Sequence, residues 1–315
     1  MSTVTRNIAI ALHVAREEAL RAAVDFLVGV SQVDVVCWMR SEPLRLIRDR
    51  LGDTVRVQEF DDEHLDQIEL AVVFGGDGTI LRAAEWAVPA GVPILGVNLG
   101  HVGFLAELEQ SQLDTLLERV VASDYDVEER LCLEVVLKDE HGVEKWRSFA
   151  INEVSIEKGA RERMIEVLVE IDGRPLQRWG TDGVLVATPT GSTAYAFSAQ
   201  GPVLWPDVEA LLVVPLLAHA LFARPLVLSP RSCVRVTMLP GQWPGGVLWC
   251  DGRRSTDVQA SDIIEVRRAT TPLRLARLNR QPFVERLVRK FELPVAGWRG
   301  SAERSPGVEM HGPRS

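Results

Sequence analysis

Apolar and polar positions alternate in two different rhythms along this chain, and the rhythm changes near residue 125. Residues 7–13 form an apolar run that predicts a buried strand. Over 16–28, Ala19, Ala22, Ala23, Phe26 and Leu27 recur at helical spacing. A strand over 33–39 and a short helix over 43–51 follow. Residues 69–74 predict a third buried strand that runs straight into Gly75. Residues 80–88 predict a helix with Ile80, Leu81, Ala84 and Ala87 together, and 93–98 a further short buried strand. A helix over 111–121 is opened by Ser111 and Asp114, which resemble a capping box. Apolar strands alternating with helices predict a parallel sheet covered on both faces.

Beyond Tyr125 the period shortens to two. Residues 131–137 are strand-like and lead into a turn at 139–142. Ile165, Val167, Val169 and Ile171 alternate before an Asp172-Gly173 hairpin turn, and 184–187, 234–237, 247–249 and 263–266 continue the series. This half reads as mostly antiparallel β. Phe283, Leu287, Val288 and Phe291 share one face of a final helix, expected to pack back onto the first half. From Gly300 the chain is polar and rich in Gly, Ser, Pro and Arg, the composition of a disordered tail. The expected organisation is an α/β domain over 1–125, an all-β sandwich over 126–280, a returning helix over 281–299 and a tail over 300–315.

Composition removes several function classes. The net charge of −9 disfavours a nucleic-acid partner, which needs a basic surface, but leaves room for a nucleotide in a local site. No apolar run reaches the ~18 residues of a membrane span. The polar start followed by His13, Arg16, Glu17 and Glu18 is no signal peptide, so a cytoplasmic location is expected. Cys37, Cys132, Cys233 and Cys250 are far apart and form no Cys-x-x-Cys pair, which disfavours zinc or disulfides and fits small buried apolar groups.

The strongest candidate site is Gly75-Gly76-Asp77-Gly78-Thr79, between the third strand and the next helix. Glycines let a ligand approach the backbone, and a helix N-terminus offers free N–H groups to an anion. Asp77 can accept a proton from a substrate hydroxyl or hold a metal. A plain strand-to-helix turn capped by Asp77 or Thr79 is the alternative, but three glycines around one acid exceed what a turn needs. The loop is neither a Walker A loop nor a Gly-x-Gly-x-x-Gly dinucleotide loop. Asn152-Glu153 pairs an amide with a carboxylate, a combination suited to two ribose hydroxyls, although an exposed strand end is the better explanation of the pair taken alone. Residues 188–195 concentrate the hydroxyls of Thr188, Thr190, Ser192 and Thr193 before Tyr195, which can stack on a base. Arg82 lies one turn into the helix, within reach of a phosphate or of solvent. His101 and His219 have no partner legible in the sequence.

Taken together these segments resemble the NAD kinase family. The resemblance rests on Gly75 to Thr79, Leu95-Gly96-Val97-Asn98, Gly103-Phe104-Leu105, Asn152-Glu153, Asp182-Gly183 and Thr188 to Tyr195, in order, across 7–293. Residues 204–228 and 286–300 look most like actinobacterial members. The first loop alone is shared with phosphofructokinases and lipid kinases. The resemblance implies a Rossmann-like α/β domain followed by a β-sandwich, the NAD kinase/diacylglycerol kinase-like fold. It implies phosphorylation of the adenosine-ribose 2′-hydroxyl of NAD, with ATP or polyphosphate as donor and Mg²⁺ or another divalent metal. Carried over by position, Asp77 is the general base or orients the hydroxyl. Gly75, Gly76, Gly78 and Thr79 frame the nucleotide. Asn152 and Glu153 hold a ribose, and Asp182 contacts the nicotinamide end. Thr193, Ala194, Tyr195, Ala196, Phe197 and Ser198 belong to the nucleotide-binding segment around adenine, and Arg82 and Arg163 lie near substrate. A homodimer or homotetramer is implied.

Two positions depart from the family pattern. Gln200 replaces a glycine, at a strain cost of roughly 1 kcal/mol if φ there is positive. Gly180 stands where many members carry a basic residue. A lipid or sphingoid-base kinase, or a catalytically inactive NAD-binding regulator, are the competing readings.

Overall fold

The computed structural model describes residues 6–99, 103–106, 113–159, 163–241, 245–278 and 282–294. Ser111, His101 and the expected tail over 300–315 lie outside them.

The first half alternates strands and helices: β1 (Arg6–Leu12), α1 (Glu17–Val30), β2 (Val35–Met39), α2 (Ser41–Ile47), β3 (Val57–Glu59), β4 (Leu70–Phe74), α3 (Asp77–Ala90), β5 (Ile94–Val97) and α4 (Leu113–Val121). These five strands pair in parallel in the order β3-β2-β1-β4-β5. The central strands read as unbroken apolar runs because both faces are covered. Alternate residues take opposite sides. Ile8, Ile10 and Leu12 of β1 and Leu70, Val72 and Phe74 of β4 join Phe26 and Leu27 of α1. Ala9, Ala71 and Val73 face the other way, against Ile80, Ala83 and Ala87 of α3.

Helix α3 begins at Asp77, earlier than the apolar periodicity indicates, because extended Gly76 serves as its N-cap. It ends at Gly91, whose φ of 69° is the left-handed conformation usual after a helix.

Two further strands, β6 (Asp126–Arg130) and β19 (Leu273–Arg277), complete this sheet. β19 runs parallel to β5 and antiparallel to β6. Both fall inside the 126–280 segment expected to be wholly sandwich. β6 carries mostly exposed polar residues on the sheet edge, so hydropathy gives it no signature. The chain thus leaves the first domain after β6 and returns at β19.

Between them lie β7 (Leu133–Lys138), β8 (Glu144–Ala150), β9 (Glu153–Lys158), β10 (Ile165–Ile171), β11 (Arg174–Thr181), β12 (Gly183–Ala187), β13 (Leu211–Leu216), β14 (Leu226–Leu228), β15 (Val234–Met238), β16 (Gly246–Cys250), β17 (Arg254–Val258) and β18 (Ile263–Arg268). They form two six-stranded sheets, β11-β10-β15-β18-β7-β8 and β14-β13-β12-β9-β16-β17, with antiparallel pairing throughout. Val135, Val167, Val236 and Ile264 of one sheet meet Ile156, Val184, Val186 and Leu248 of the other in a single core. The strands least visible in the sequence, β8, β11 and β17, are polar because they are edges. Cys37, Cys132 and Cys250 are buried.

After the one-turn helix α5 (Tyr195–Ser198), the final helix, α6 (Phe283–Phe291), reaches both domains. Phe104 lies against Phe283 and Phe291, with centroids 5.6 and 6.1 Å apart, while Phe291 also meets Phe197 at 4.5 Å. Its buried residue is Arg286, whereas Leu287 and Val288, expected to carry the packing, are only half-buried.

Candidate functional site

In a sheet ordered β3-β2-β1-β4-β5 the crossovers diverge between β1 and β4, which opens a crevice beyond their C-terminal ends. The loops leaving these two strands flank that crevice: residues 13–16 after β1 and 75–76 after β4. A cavity of about 590 Å³ lies there, lined by His13, Arg16, Gly76, Asp77, Gly78, Thr79, Arg82, Asn98 and Gly103, with Arg253 and Lys290 contributed from far along the chain. Four of the lining side chains are Arg or Lys, and Asp77 is the sole carboxylate. That balance suits a polyanion.

Asp77 sits in the first turn of α3. Its Oδ2 accepts from the backbone N–H of Phe104 at 2.9 Å and its Oδ1 from that of Leu105 at 3.1 Å. A Cβ on Gly103 would run into the Asp77 carboxylate, so the loop can lie this close only with glycine there. Gly75 has φ of 155°, and a Cβ on it would collide with Thr79. Gly76 and Gly78 border open space. The first N–H groups of α3 have no intrahelical acceptor and present a partial positive charge to the cavity.

A second cavity, of about 320 Å³, is lined by Glu153, Ser155, Glu157, Tyr195, Trp249 and Gly252. The turn from β16 to β17 borders both cavities, giving Gly252 to this one and Arg253 to the first. Arg253 Nε also donates to Glu85 on α3 at 2.7 Å, which ties the two domains together at the site.

Asn152 and Glu153 lie where the chain crosses from β8 in one sheet to β9 in the other. Buried Asp251 fixes this crossing. Its carboxylate accepts from the N–H groups of Ile151 and Asn152, the latter at 2.7 Å, and from Arg254 at 2.8 Å. Glu153 is buried and its Oε2 has no hydrogen-bond partner. Burial, reinforced by the charges of Asp251 and Glu157, pushes its carboxyl up to about 8. It is therefore mostly protonated at neutral pH and offers an O–H.

Within the hydroxyl-rich run, Thr188, Ser192 and Thr193 bond to neighbouring backbone and fold the segment into a clasp. Thr188 donates to the Ile151 carbonyl at 2.6 Å and accepts from the Gly191 N–H. Ser192 donates to the Pro189 carbonyl and accepts from the Leu204 N–H. Thr193 points back to the Thr190 carbonyl. Gly191 lies directly against the backbone of Asn152. Among the other expected residues, Tyr195 lines the second cavity, and Ala194 and Ser198 flank it in the chain, with Ser198 exposed. Ala196 is fully buried against Leu185 and Val214, so its side chain offers a ligand no surface. Phe197 meets Phe291. Asp182 accepts from Lys158 Nζ at 2.7 Å, and Arg163 is exposed; neither lines either cavity.

A sequence model of the ATP-NAD kinase N-terminal domain matches residues 3–125, and one of the ATP-NAD kinase C-terminal domain matches 151–278. The chain belongs to the NAD kinase family. It is 51% identical to the NAD kinase of Cutibacterium acnes over 95% of its own length and 94% of the relative's. It is 48% identical to the NAD kinase of Mycobacterium bovis over 95% and 99%. Yeast NADH kinase complexed with NADH shares the fold with a TM-score of 0.84 at 24% identity, covering 93% of this chain and 89% of that one. An NAD kinase from Archaeoglobus fulgidus in complex with ATP gives a TM-score of 0.67 at 24% identity, covering 91% and 100%. The chain is accordingly a phosphotransferase acting on NAD, and the lipid-kinase and inactive-regulator readings give way to this one. Among the described residues no helix is long and apolar enough to cross a membrane.

Of the lining residues, His13, Arg16, Arg253 and Lys290 were not singled out from the sequence, and neither was Asp251. The switch-point rule would have found the first two, since they follow β1 directly. Arg253 and Lys290 become visible only when the second domain and α6 fold against the first.

Proposed function

We propose that NAD binds with its adenosine ribose between Asp77 and the Asn152-Glu153 crossing, and that the 2′-hydroxyl attacks the terminal phosphorus of ATP or polyphosphate. The observation that carries this reading is the carboxylate of Asp77, pinned by two N–H groups at the edge of a cavity to which four Arg and Lys side chains also contribute. Asp77 orients the 2′-hydroxyl and receives its proton as the new O–P bond forms and the bond from that phosphorus to its bridging oxygen breaks, releasing ADP or the shortened polyphosphate. Arg16, Arg82, Arg253 and Lys290 line the cavity that takes the donor phosphates, together with the open N-terminus of α3. Their charges offset what spreads over the transferring group. Protonated Glu153 donates to a hydroxyl or ring nitrogen of the bound nucleotide, and Tyr195 and Trp249 wall the second cavity around an aromatic ring.

A divalent cation fits this donor set in one way. Among the described residues no cluster of three or more acidic, His or Cys side chains can cage a metal. One carboxylate, that of Asp77, is present, so the cation would be held chiefly by the donor's phosphates. When bound it neutralises phosphate charge and helps align the donor.

The chain is further proposed to act in the cytoplasm as a homodimer or homotetramer. The functional test is NADP formation from NAD, Mg²⁺ and ATP or polyphosphate, with Asp77→Asn alongside. Loss of turnover in the variant supports the assignment, and turnover within a few-fold of wild type would refute it.

A further inference from the structure

We infer that Arg286, seconded by Arg277, is a positioning residue that sets the orientation of the Asp77 carboxylate from the far side of the 103–106 loop. The inference rests on the reading of Asp77 given above.

The loop is held from two sides. Toward the cavity, Phe104 and Leu105 give their N–H groups to Asp77. On the opposite side, Arg286 Nη1 donates to the carbonyls of Phe104 at 3.0 Å and Ala106 at 3.3 Å. Arg277 Nη1 donates to the carbonyl of Leu105 at 3.1 Å, and its Nε to Glu128 at 2.7 Å. The two arginines are 7% exposed.

The connection between the two sides is a single planar unit. The carbonyl of Phe104 and the N–H of Leu105 belong to one trans peptide and point in opposite directions within its plane. Fixing that carbonyl on Arg286 therefore aims that N–H at Asp77 Oδ1. The plane cannot rotate about its own C–N bond to relax, so removing Arg286 frees the whole unit to swing. The Phe104 ring, packed between Phe283 and Phe291, is held by the same helix that carries Arg286. A guanidinium suits the task because its donors lie in a rigid plane, which a lysine cannot match.

No group of Arg286 lines the cavity that contains Asp77, so its contribution to turnover would pass through the loop. Misplacing a reacting group by about 1 Å costs on the order of 10²-fold in rate. Arg286→Ala is thus expected to lower kcat for NADP formation by about 10- to 100-fold. The KM for NAD should stay within about threefold, because Asp77 touches one hydroxyl of NAD while the Asn152-Glu153 crossing and the second cavity hold the rest of the nucleoside. Arg286→Lys should fall between the two, and added guanidinium ion should restore part of the loss in Arg286→Ala.

The experiment measures kcat and KM for wild type, Asp77→Asn, Arg286→Ala, Arg286→Lys and the Asp77→Asn/Arg286→Ala double variant, each with its thermal melt. If Arg286 acts through Asp77, the double variant is no slower than Asp77→Asn alone. Unchanged kcat in a folded Arg286→Ala would overturn the inference. So would a rise in KM at constant kcat, or a further full loss in the double variant. If Arg286→Ala does not fold, Arg286→Lys decides: wild-type kcat in that variant also overturns it. Turnover by Asp77→Asn near wild type would instead sink the Asp77 reading itself, which the single variant shows independently.

Discussion

The backbone N–H of Asn152 donates to the carboxylate of Asp251, ninety-nine positions later, at 2.7 Å. Through this bond, its neighbour from Ile151 and the ion pair to Arg254, one buried acid fixes the peptide that presents Glu153 to the second cavity. Asp251→Ala is expected to leave those N–H groups buried without an acceptor and Arg254 without its carboxylate, at a cost of about 3 kcal/mol or more. Urea unfolding checks the stability, and the KM for NAD should rise in whatever fraction remains folded.

Gly191 seats the 188–193 clasp against Asn152. A Cβ there would enter the Asn152 carbonyl, and backbone cannot yield as a side-chain tip can. Gly191→Ala is expected to destabilise by about 1–3 kcal/mol, the usual range for overpacking, and to raise the KM for NAD. A variant with wild-type melt and wild-type KM would show that the clasp does not hold the crossing.

Gln200 has φ of 64°, so the departure noticed in the sequence is a strained position. Gln200→Gly should stabilise the protein by about 0.5–1 kcal/mol with an unchanged denaturant slope. Gly180 differs. Its carbonyl accepts from the His219 N–H at 2.8 Å, and a Cβ there would meet only the tip of Met164 at 3.9 Å, so its backbone imposes no need for glycine.

Glu153 makes stability depend on pH with a definite sign. Its carboxyl is raised from 4.5 to about 8 in the folded chain, so between these values the native state holds a proton that the unfolded state has released. Stability from this group is complete below about 4.5, falls as pH rises through the window, and levels off above about 8. Urea midpoints across this range should show the fall in wild type and a shallower one in Glu153→Gln. An equal slope in the two would remove the proton from Glu153.

The legible parts of this molecule were those in which chemistry and burial coincide in a short segment. β1, β4 and β5 are apolar on both faces, so they stand out, as does the glycine loop that follows β4. β6, β8, β11 and β17 are edges and look like polar linkers, whereas β19 is an interior strand that follows the sandwich strands directly in the chain, so only its pairing with β5 and β6 reveals that it belongs to the first domain. The site divides in the same way. Asp77 and Glu153 sit in recognisable motifs. Arg253 and Lys290 reach the cavity only through tertiary folding, and Arg286 is an arginine on a helix whose apolar stripe drew attention first.

Arg253 reaches the cavity across the domain boundary while its Nε holds Glu85. Arg253→Ala should raise the KM for the phosphoryl donor about tenfold, equivalent to ~1.4 kcal/mol, with the KM for NAD within about threefold. A selective effect on NAD would place the donor elsewhere.

Asp77 is proposed to act on the hydroxyl that becomes phosphorylated. The most direct test of that role is the kcat for NADP formation by wild type and Asp77→Asn, with ATP and with polyphosphate, at saturating NAD. The variant is expected to bind NAD and to lose about 10²-fold or more in kcat with every donor that wild type uses. A variant that turns over within a few-fold of wild type would contradict it.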